Sequence, residues 1–214
     1  MMKRFLIIDD HAMVRQGLVA VLRGNTEHQI SCDEAGSAEQ ALELLASSPY
    51  DLTILDISLP GMGGLELLPL LHQKYQHMPV LMLSMFPEEQ FALRALRLGA
   101  SGYLTKQEAA DELLAAVNHV LSGQRYLSRS FSATLINQAV VGTIKAQQPN
   151  HSTLSNREFE ILRRLAAGQA LKVISDELGI SIKTVSTYKT RLCSKMGFKN
   201  NADLINYAIS NKVA

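Results

Sequence analysis

The fold is decided by the stretch from Leu52 to Leu71, which reads LTILDISLPGMGGLELLPLL. It begins with an apolar run, Leu52 to Leu55, that is too short for a helix and predicts a buried strand. Asp56, a glycine-containing turn and apolar residues at helical spacing from Leu65 to Leu71 follow it. A buried strand, a turn and a helix together predict the repeating unit of an α/β domain with a parallel sheet.

The same unit recurs along the first half of the chain. Strands are predicted at Phe5 to Ile8, Leu52 to Leu55 and Val80 to Leu83, with weaker ones at Gln29 to Cys32 and Gly102 to Leu104. Each is followed by a stretch with helical spacing, and crossovers between parallel strands are right-handed. The sequence therefore predicts an α/β doubly wound, five-stranded parallel sheet of the flavodoxin-like type over residues 1–122.

The second half has a different pattern. Residues 123–152 are predicted to be a linker, with one amphipathic helix between Phe131 and Val140 and a polar tether from Lys145 to Thr153. From residue 153 onward the strand pattern disappears, and a small all-α domain of four helices is predicted over residues 153–214. The helical stretches are Asn156 to Ala167, Leu171 to Leu178, Ile182 to Met196 and Ala202 to Ser210.

The charge is unevenly distributed between the two halves. The chain of 214 residues has a net charge of only +1. Up to Arg125 it carries 9 basic and 15 acidic residues, and from Tyr126 onward it carries 12 basic and 5 acidic residues. An acidic half followed by a basic half suggests a regulatory or metal-binding module joined to an anion-binding one, and nucleic acid is the commonest large anion.

Composition excludes several protein classes. Hydrophobic residues at 47% and charged residues at 19% match ordinary globular usage, which excludes collagen-like and disordered chains. Cys32 and Cys193 are too few for a disulfide framework, and this favours a reducing, cytoplasmic location. No uncharged apolar stretch approaches the ~20 residues needed to cross a bilayer, so we expect no membrane span.

Charged and hydroxyl residues follow the predicted strands. Asp9 and Asp10 follow the first, Asp56 the third, Ser84 ends the fourth and Lys106 follows the fifth. In an open parallel sheet the carboxyl ends of the strands form the ligand site, and converging carboxylates favour Mg²⁺. Singly, each residue has a structural explanation such as helix capping or solvation, but Asp56 lies in an apolar run where an unpaired charge is costly. A carboxylate beside such a cation can attack phosphorus, and Asp56 fits that role, with Ser84 and Lys106 fitting as groups that bind the phosphoryl oxygens.

These residues belong to longer motifs, namely Ile7 to His11, Leu55 to Gly64, Leu83-Ser84 and Gly102 to Lys106. The motifs resemble the receiver domain of bacterial response regulators. The resemblance implies that Asp56 is the phosphoacceptor and that Asp9, Asp10, Asp56 and the backbone carbonyl of Ser58 surround Mg²⁺. It also implies that Tyr103 reorients when Ser84 is drawn toward the phosphoryl group. A buried structural tyrosine is the alternative role for Tyr103.

Three other functions compete with this interpretation. A dinucleotide-binding loop at Gly61-Met62-Gly63 is excluded because the third glycine position holds Glu66. A phosphatase resembling the haloacid dehalogenases would need an aspartate where Ser58 stands, so at most slow autodephosphorylation is expected, and the chain is not predicted to be an enzyme. A receiver that acts only as a protein-interaction module is disfavoured by its complete set of pocket residues.

The second half contains a helix, a turn and a second helix between Leu171 and Met196. Gly179 permits the turn, Ser181 can cap the second helix, and this helix carries basic and hydroxyl residues but no acid. Such a pattern is typical of a DNA recognition helix, because cationic side chains neutralise phosphates and short polar ones reach base edges. A solvated cationic helix in a structural domain is the alternative.

The segments Leu154 to Glu158, Leu165 to Gly168 and Ile174 to Tyr188 resemble a LuxR-type helix-turn-helix. With the receiver, this identifies the chain as similar to the NarL/FixJ class of response regulators. The resemblance implies that Ser186, Thr187 and Thr190 face bases. The remaining predicted DNA-binding residues are Lys172, Lys183, Thr184, Tyr188 and Arg191. The segments Gln169 to Val173 and Ser186 to Tyr188 depart from common family patterns, which leaves the target sequence open. Implied partners are a sensor histidine kinase or phosphotransfer protein, double-stranded promoter DNA and a second copy of the chain.

Overall fold

A computed structural model describes residues 2–24, 29–140, 154–211 and 213. The chain divides into two compact units, Met1–Thr143 and Ile144–Ala214. The first unit contains five strands that pair in parallel in the order β2-β1-β3-β4-β5. The strands are β1 (Lys3–Ile8), β2 (Ile30–Ala35), β3 (Leu52–Asp56), β4 (Val80–Ser84) and β5 (Gly102–Thr105).

A helix follows each strand, which confirms the predicted α/β doubly wound fold. The helices are α1 (Ala12–Arg23), α2 (Ala38–Ser47), α3 (Gly64–Lys74), α4 (Glu88–Arg97) and α5 (Ala109–Leu121). The three central strands β1, β3 and β4 are almost entirely buried, because helices cover both faces of a parallel sheet. Their apolar runs therefore give a clear strand signal in the sequence.

The edge strand β2 is longer than the sequence pattern predicts. The predicted strand ends at Cys32, whereas β2 continues through Asp33 and Glu34 to Ala35. Asp33 is tolerated in the strand because Arg4 lies 2.7 Å from its carboxylate and the Tyr50 hydroxyl donates to it at 2.7 Å. Polar residues with partners from neighbouring elements thus extend a strand beyond its apolar pattern.

The segment after α5 hydrogen-bonds to the sheet. Tyr126 forms a parallel bridge with Gly102, and the amide of Tyr103 donates to the carbonyl of Tyr126 at 3.0 Å. Helix α6 (Arg129–Val140) follows, at the position where an amphipathic linker helix was predicted. The predicted tether, Lys145 to Thr153, lies outside the described residues.

The second unit contains only helices among its described residues. They are α7 (Asn156–Ala166), α8 (Leu171–Leu178), α9 (Ile182–Met196) and α10 (Asn201–Ser210). The turn between α8 and α9 is made by Gly179, whose φ of +63° lies in the left-handed region that favours glycine. The hydroxyl of Ser181 then caps α9 by accepting from the amide of Thr184.

Among the described residues, every helix is too short or too polar to cross a membrane.

Candidate functional site

Lys106 joins two of the predicted acidic residues at the carboxyl edge of the sheet. Its ammonium group lies 2.6 Å from Asp9 Oδ2 and 2.9 Å from Asp56 Oδ2. All three side chains are at most 9% exposed. The sheet register explains the meeting, because Asp56 ends β3 opposite Leu83 and the amide of Lys106 donates to the carbonyl of Ser84 at 2.7 Å. A buried cation therefore lies between two buried carboxylates.

The environment of Asp56 opposes its ionisation more than it favours it. Burial raises the pKa of Asp56, and the nearby Asp9 carboxylate raises it further, while Lys106 lowers it only in part. For Lys106, burial lowers the pKa, but Asp56 and Asp9 reverse the effect and hold it above the ordinary lysine value. Among the described residues, Asp56 Oδ1 has no hydrogen-bond partner although the residue is only 1% exposed. The pocket thus presents a buried carboxylate oxygen that is available to a cation.

Asp10 and His11 form the exposed rim of this acidic cluster. Ligand atoms of Asp9, Asp10, His11 and Asp56 lie within 4.8 Å of one another, close enough to hold a single metal ion. His11 Nδ1 lies 2.7 Å from Asp10 Oδ1, a contact that is not predictable from the local sequence. Ser58, whose carbonyl was predicted as a further ligand, is exposed between β3 and α3.

Arg15 supports the loop that carries the acidic pair. It donates to the backbone carbonyl of Asp9 at 2.7 Å and to Glu34 Oε2 at 3.0 Å. The peptide unit between Asp9 and Asp10 is thereby held against the end of β2. Arg15 is not predictable from the sequence, because nothing in the local pattern of α1 distinguishes it from the solvated arginines that are common on helix surfaces.

Ser84 and Tyr103 are both buried and are linked through Phe86. The Ser84 hydroxyl accepts from the amide of Phe86 at 2.9 Å, and the Tyr103 hydroxyl donates to the carbonyl of the same residue at 2.9 Å. Burial raises the pKa of the Tyr103 hydroxyl well above the ordinary value, so the hydroxyl keeps its proton and remains a donor. A displacement of Ser84 would therefore also shift the backbone of Phe86, to which the Tyr103 hydroxyl is hydrogen-bonded.

The same loop reaches helix α6 through Glu88, the first residue of α4. Glu88 is 5% exposed, and its carboxylate accepts hydrogen bonds from the amide of Ser128, at 2.9 Å, and from the Ser128 hydroxyl. The Ser128 hydroxyl in turn accepts from the amide of Phe131 and so caps α6. This contact joins residues that are 40 positions apart and was not predictable from either segment alone.

Helix α9 presents the predicted DNA-binding residues of the second unit. Its buried side is formed by Val185, Leu192 and Met196. The predicted contacts Lys183, Ser186, Thr187, Thr190 and Arg191 are exposed, as is Lys172 on α8, while Thr184 and Tyr188 are partly buried. The hydroxyl of Thr184 lies 2.8 Å from that of Ser181, within the helix cap. The exposed face of α9 is thus basic and hydroxyl-rich.

Glu158 on α7 forms an ion pair with Lys195 on the side of α9 that faces α7. It is 2% exposed on α7, takes part in a capping box with Ser155, and accepts from Lys195 Nζ at 2.6 Å. Burial alone would raise the pKa of Glu158, but the hydrogen bonds from Lys195 and Ser155 outweigh it and lower the pKa. This ion pair connects the C-terminal part of α9 to the neighbouring helix.

Comparisons with known proteins match both units. Residues 5–118 match the family described as response regulator receiver domain, and residues 152–208 match bacterial regulatory proteins of the luxR family. The oxygen regulatory protein NreC of Staphylococcus aureus is 31% identical over 215 residues, covering 98% of each chain.

Solved structures give the same result. RcsB of Salmonella enterica serovar Typhimurium, bound to a promoter in the presence of phosphomimetic BeF3⁻, has a TM-score of 0.62 at 25% identity, with 97% of this chain and 98% of RcsB covered. A LuxR-family two-component response regulator from Aurantimonas has a TM-score of 0.59 at 30% identity, with 65% of this chain and 99% of that chain covered.

Proposed function

The chain belongs to the NarL/FixJ class of two-component response regulators, and from this premise we propose that phosphorylation of Asp56 controls its dimerisation and its binding to promoter DNA. The observation that carries the proposal is the buried ion triad of Asp9, Asp56 and Lys106 at the carboxyl edge of the sheet. A structural salt bridge alone would not require an additional buried carboxylate oxygen without a partner.

The phosphoryl donor is a phosphohistidine of a sensor histidine kinase or phosphotransfer protein. A carboxylate oxygen of Asp56 forms the new bond to phosphorus, while the bond between phosphorus and the donor nitrogen breaks. The imidazole leaves with the electron pair of that bond and takes up a proton. Lys106 and Ser84 bind the phosphoryl oxygens, and this is supported by their positions at the ends of the neighbouring strands β5 and β4.

The acidic edge fits Mg²⁺. Asp9, Asp10 and Asp56, together with the backbone carbonyl of Ser58, would hold it with all-oxygen ligands, as this ion prefers. Bound there, Mg²⁺ supplies neutralisation of the charge on the phosphoryl oxygens. The unpartnered Asp56 Oδ1 and the mutual proximity of the acidic ligand atoms support this assignment.

The covalent mark is expected to persist. Ser58 occupies the position at which a hydrolase of the dehalogenase type would carry a general acid, so autodephosphorylation is slow. The protein therefore acts as a transcription factor with a long-lived acyl phosphate. Its place of action is the cytoplasm, where its DNA target lies and where the two free cysteines remain reduced.

A path of hydrogen bonds can carry the signal out of the pocket. Ser84 and Tyr103 both bond to the backbone of Phe86, and two residues later Glu88 bonds to Ser128 at the start of α6. When Ser84 turns toward the phosphoryl group, this loop shifts and Tyr103 reorients. Because Glu88 is buried against Ser128, the shift reaches the first turn of α6.

We propose residues 1–122 as the receiver domain, 123–152 as the linker and 153–214 as the DNA-binding domain. The family matches, which cover residues 5–118 and 152–208, support the end of the receiver domain and the start of the DNA-binding domain. The first part of the linker keeps its bonds to the receiver through Tyr126 and Ser128. In the DNA-binding domain, Lys172, Lys183, Tyr188 and Arg191 contact phosphates, with Thr184 beside them at the start of α9, and Ser186, Thr187 and Thr190 face bases.

The phosphoacceptor is tested with the variant Asp56→Asn. Purified full-length protein is incubated with Mg²⁺ and a small acyl phosphate, and its intact mass is measured. Wild type should gain one phosphoryl group, and the variant should gain none because an amide is a poor nucleophile. Asp51→Asn is the matched control, since Asp51 pairs with Lys3 at the opposite edge of the sheet. Phosphate on Asp10 or Asp51 in the Asp56→Asn variant would refute the assignment.

Dimerisation is tested with DNA probes. A single helix-turn-helix reads few base pairs, and a dimer gains specificity from two half-sites about 10 bp apart. We expect phosphorylation to tighten binding to paired half-sites far more than to one isolated half-site, and to raise the mass measured by light scattering. Equal tightening on both probes with no change in mass would contradict the dimerisation mechanism.

A further inference from the structure

Two threonines lie near the centre of the exposed face of α9. The buried side of the helix is defined by Val185, Leu192 and Met196. At 3.6 residues per turn, the side chains that point within about 40° of the opposite direction are those of Lys183, Thr187, Thr190 and Ser194. Geometry alone therefore gives Thr187 and Thr190 a central position on the face that would enter a DNA groove.

The hydroxyl protons of both threonines are already used within the helix. Thr187 Oγ1 donates to the carbonyl of Lys183 at 2.9 Å, and Thr190 Oγ1 donates to the carbonyl of Ser186 at 3.1 Å. A threonine hydroxyl has one proton and two acceptor lone pairs. What remains available to a ligand at these two positions is an oxygen that accepts and a methyl group.

These remaining groups distinguish base pairs. In the major groove guanine presents two acceptors, which need a donor such as arginine or lysine. Thymine presents a 5-methyl group, and its partner adenine presents an amino group that donates. Cytosine also presents an amino group that donates, so the accepting oxygen alone does not separate A·T from G·C. The threonine methyl group makes the distinction, because only thymine offers a 5-methyl group to pack against, and an A·T pair therefore satisfies both groups at once.

We propose that Thr187 and Thr190 are specificity-determining residues that read A·T pairs in the major groove, through thymine methyl contacts and acceptance from the adenine amino group. The inference rests on the proposed DNA-binding function and deepens it by naming the kind of base pair that these two side chains read. The basic residues Lys183 and Arg191 on the same helix contribute affinity through phosphates without reading the sequence.

The first experiment uses base analogues in duplex DNA. A half-site is selected from random duplexes with the phosphorylated full-length protein, and each thymine is then replaced by uracil, which removes only the 5-methyl group. At the contacted positions we expect affinity to fall about fourfold, the factor that corresponds to one buried methyl group. Replacing the paired adenine by purine, which lacks the amino group, should also weaken binding.

Matched variants assign each effect to a side chain. Thr187→Ser keeps the hydroxyl and removes the methyl, so this variant should become insensitive to uracil at its position. Thr187→Val keeps a methyl and removes the hydroxyl, so it should stay sensitive to uracil and become insensitive to purine. The same pair of variants is made at Thr190. Circular dichroism of each variant checks that α9 is intact.

The outcomes separate this inference from the proposed function. Tight binding to selected half-sites that contain no A·T pair, or no response to uracil at any position, would overturn the inference and leave DNA binding established. Failure of the phosphorylated protein to bind any duplex would overturn both.

Discussion

The pocket of the first unit and the exposed face of α9 carry function in opposite ways. In the pocket, Asp9, Asp56 and Lys106 are buried and form ion pairs across strands that are distant in the chain. On α9, Lys183 and Arg191 are exposed, and the hydroxyls of Thr187 and Thr190 donate to carbonyls of their own helix. A functional group that also neutralises a buried charge cannot be removed without a cost in stability, whereas an exposed one can.

Two buried glutamates show the same contrast in their protonation. Burial raises the pKa of Glu88, and the hydrogen bonds from Ser128 do not compensate for it. For Glu158, burial also acts upward, but the cation of Lys195 together with Ser155 brings the pKa below the ordinary value. The cation beside Glu158 thus favours its ionised form, whereas the neutral donors beside Glu88 do not offset the effect of burial.

The largest expected effect is that of Lys106→Met. Removing the buried cation leaves Asp9 and Asp56 uncompensated, which should destabilise the first unit by about 3 kcal/mol without divalent ions. Hydrogen exchange read peptide by peptide over β1 and β3 measures the loss, and added Mg²⁺ should restore much of the protection. The control Lys183→Met on α9 should change the exchange of its own unit by less than about 0.5 kcal/mol. Equal effects of the two variants would abolish the contrast.

A smaller effect is expected for Lys195→Met, which removes the partner of buried Glu158. Lys195 is partly exposed, so we expect a loss of about 1 kcal/mol in the unfolding free energy of the second unit. In a double-mutant cycle with Glu158→Gln, the two losses should not add, because both remove the same ion pair. Urea unfolding of the four proteins checks this, and strict additivity would show that the pair is not coupled.

On the exposed face, Lys183→Ala and Arg191→Ala should act on binding alone. Each should weaken binding to all duplexes about equally and reduce the slope of log affinity against log salt by about 0.9, because one phosphate contact is lost. Titrations at several salt concentrations measure the slope. An unchanged slope would place these residues outside the interface, and a strong sequence dependence would indicate base contacts instead.

The smallest effect concerns pH. Because the pKa of Glu88 is raised in the folded state, its contribution to stability is present below the ordinary glutamate value of 4.5 and is lost as pH rises through the folded value. The pKa of Glu158 is lowered, so its contribution is present above 4.5 and is lost as pH falls through the folded value. Hydrogen exchange at several pH values should show opposite slopes in α4 and α7. Glu88→Gln and Glu158→Gln should each remove one slope.

Much of the site was predictable because its residues follow strands with a strong local signal. Asp9, Asp10, Asp56, Ser84 and Lys106 each stand at or just after a strand end, and parallel strands bring such positions to one edge. Edge strand β2 was placed less accurately because its polar residues are stabilised by Arg4 and Tyr50 from other elements. A local pattern does not contain such partners.

Hydrophobic periodicity and charge are local properties of a segment. The sequence alone therefore predicts the alternation of strands and helices, the helix-turn-helix and the basic face of α9. The pairing of distant side chains depends instead on the tertiary structure. Lys106 forms ion pairs with Asp9 and Asp56. Glu88 accepts a hydrogen bond from Ser128, and Lys195 pairs with Glu158. These contacts join residues between 37 and 97 positions apart. They form because burying a charge or a polar group requires a partner, and the packed fold, not the neighbouring sequence, determines which partner is within reach.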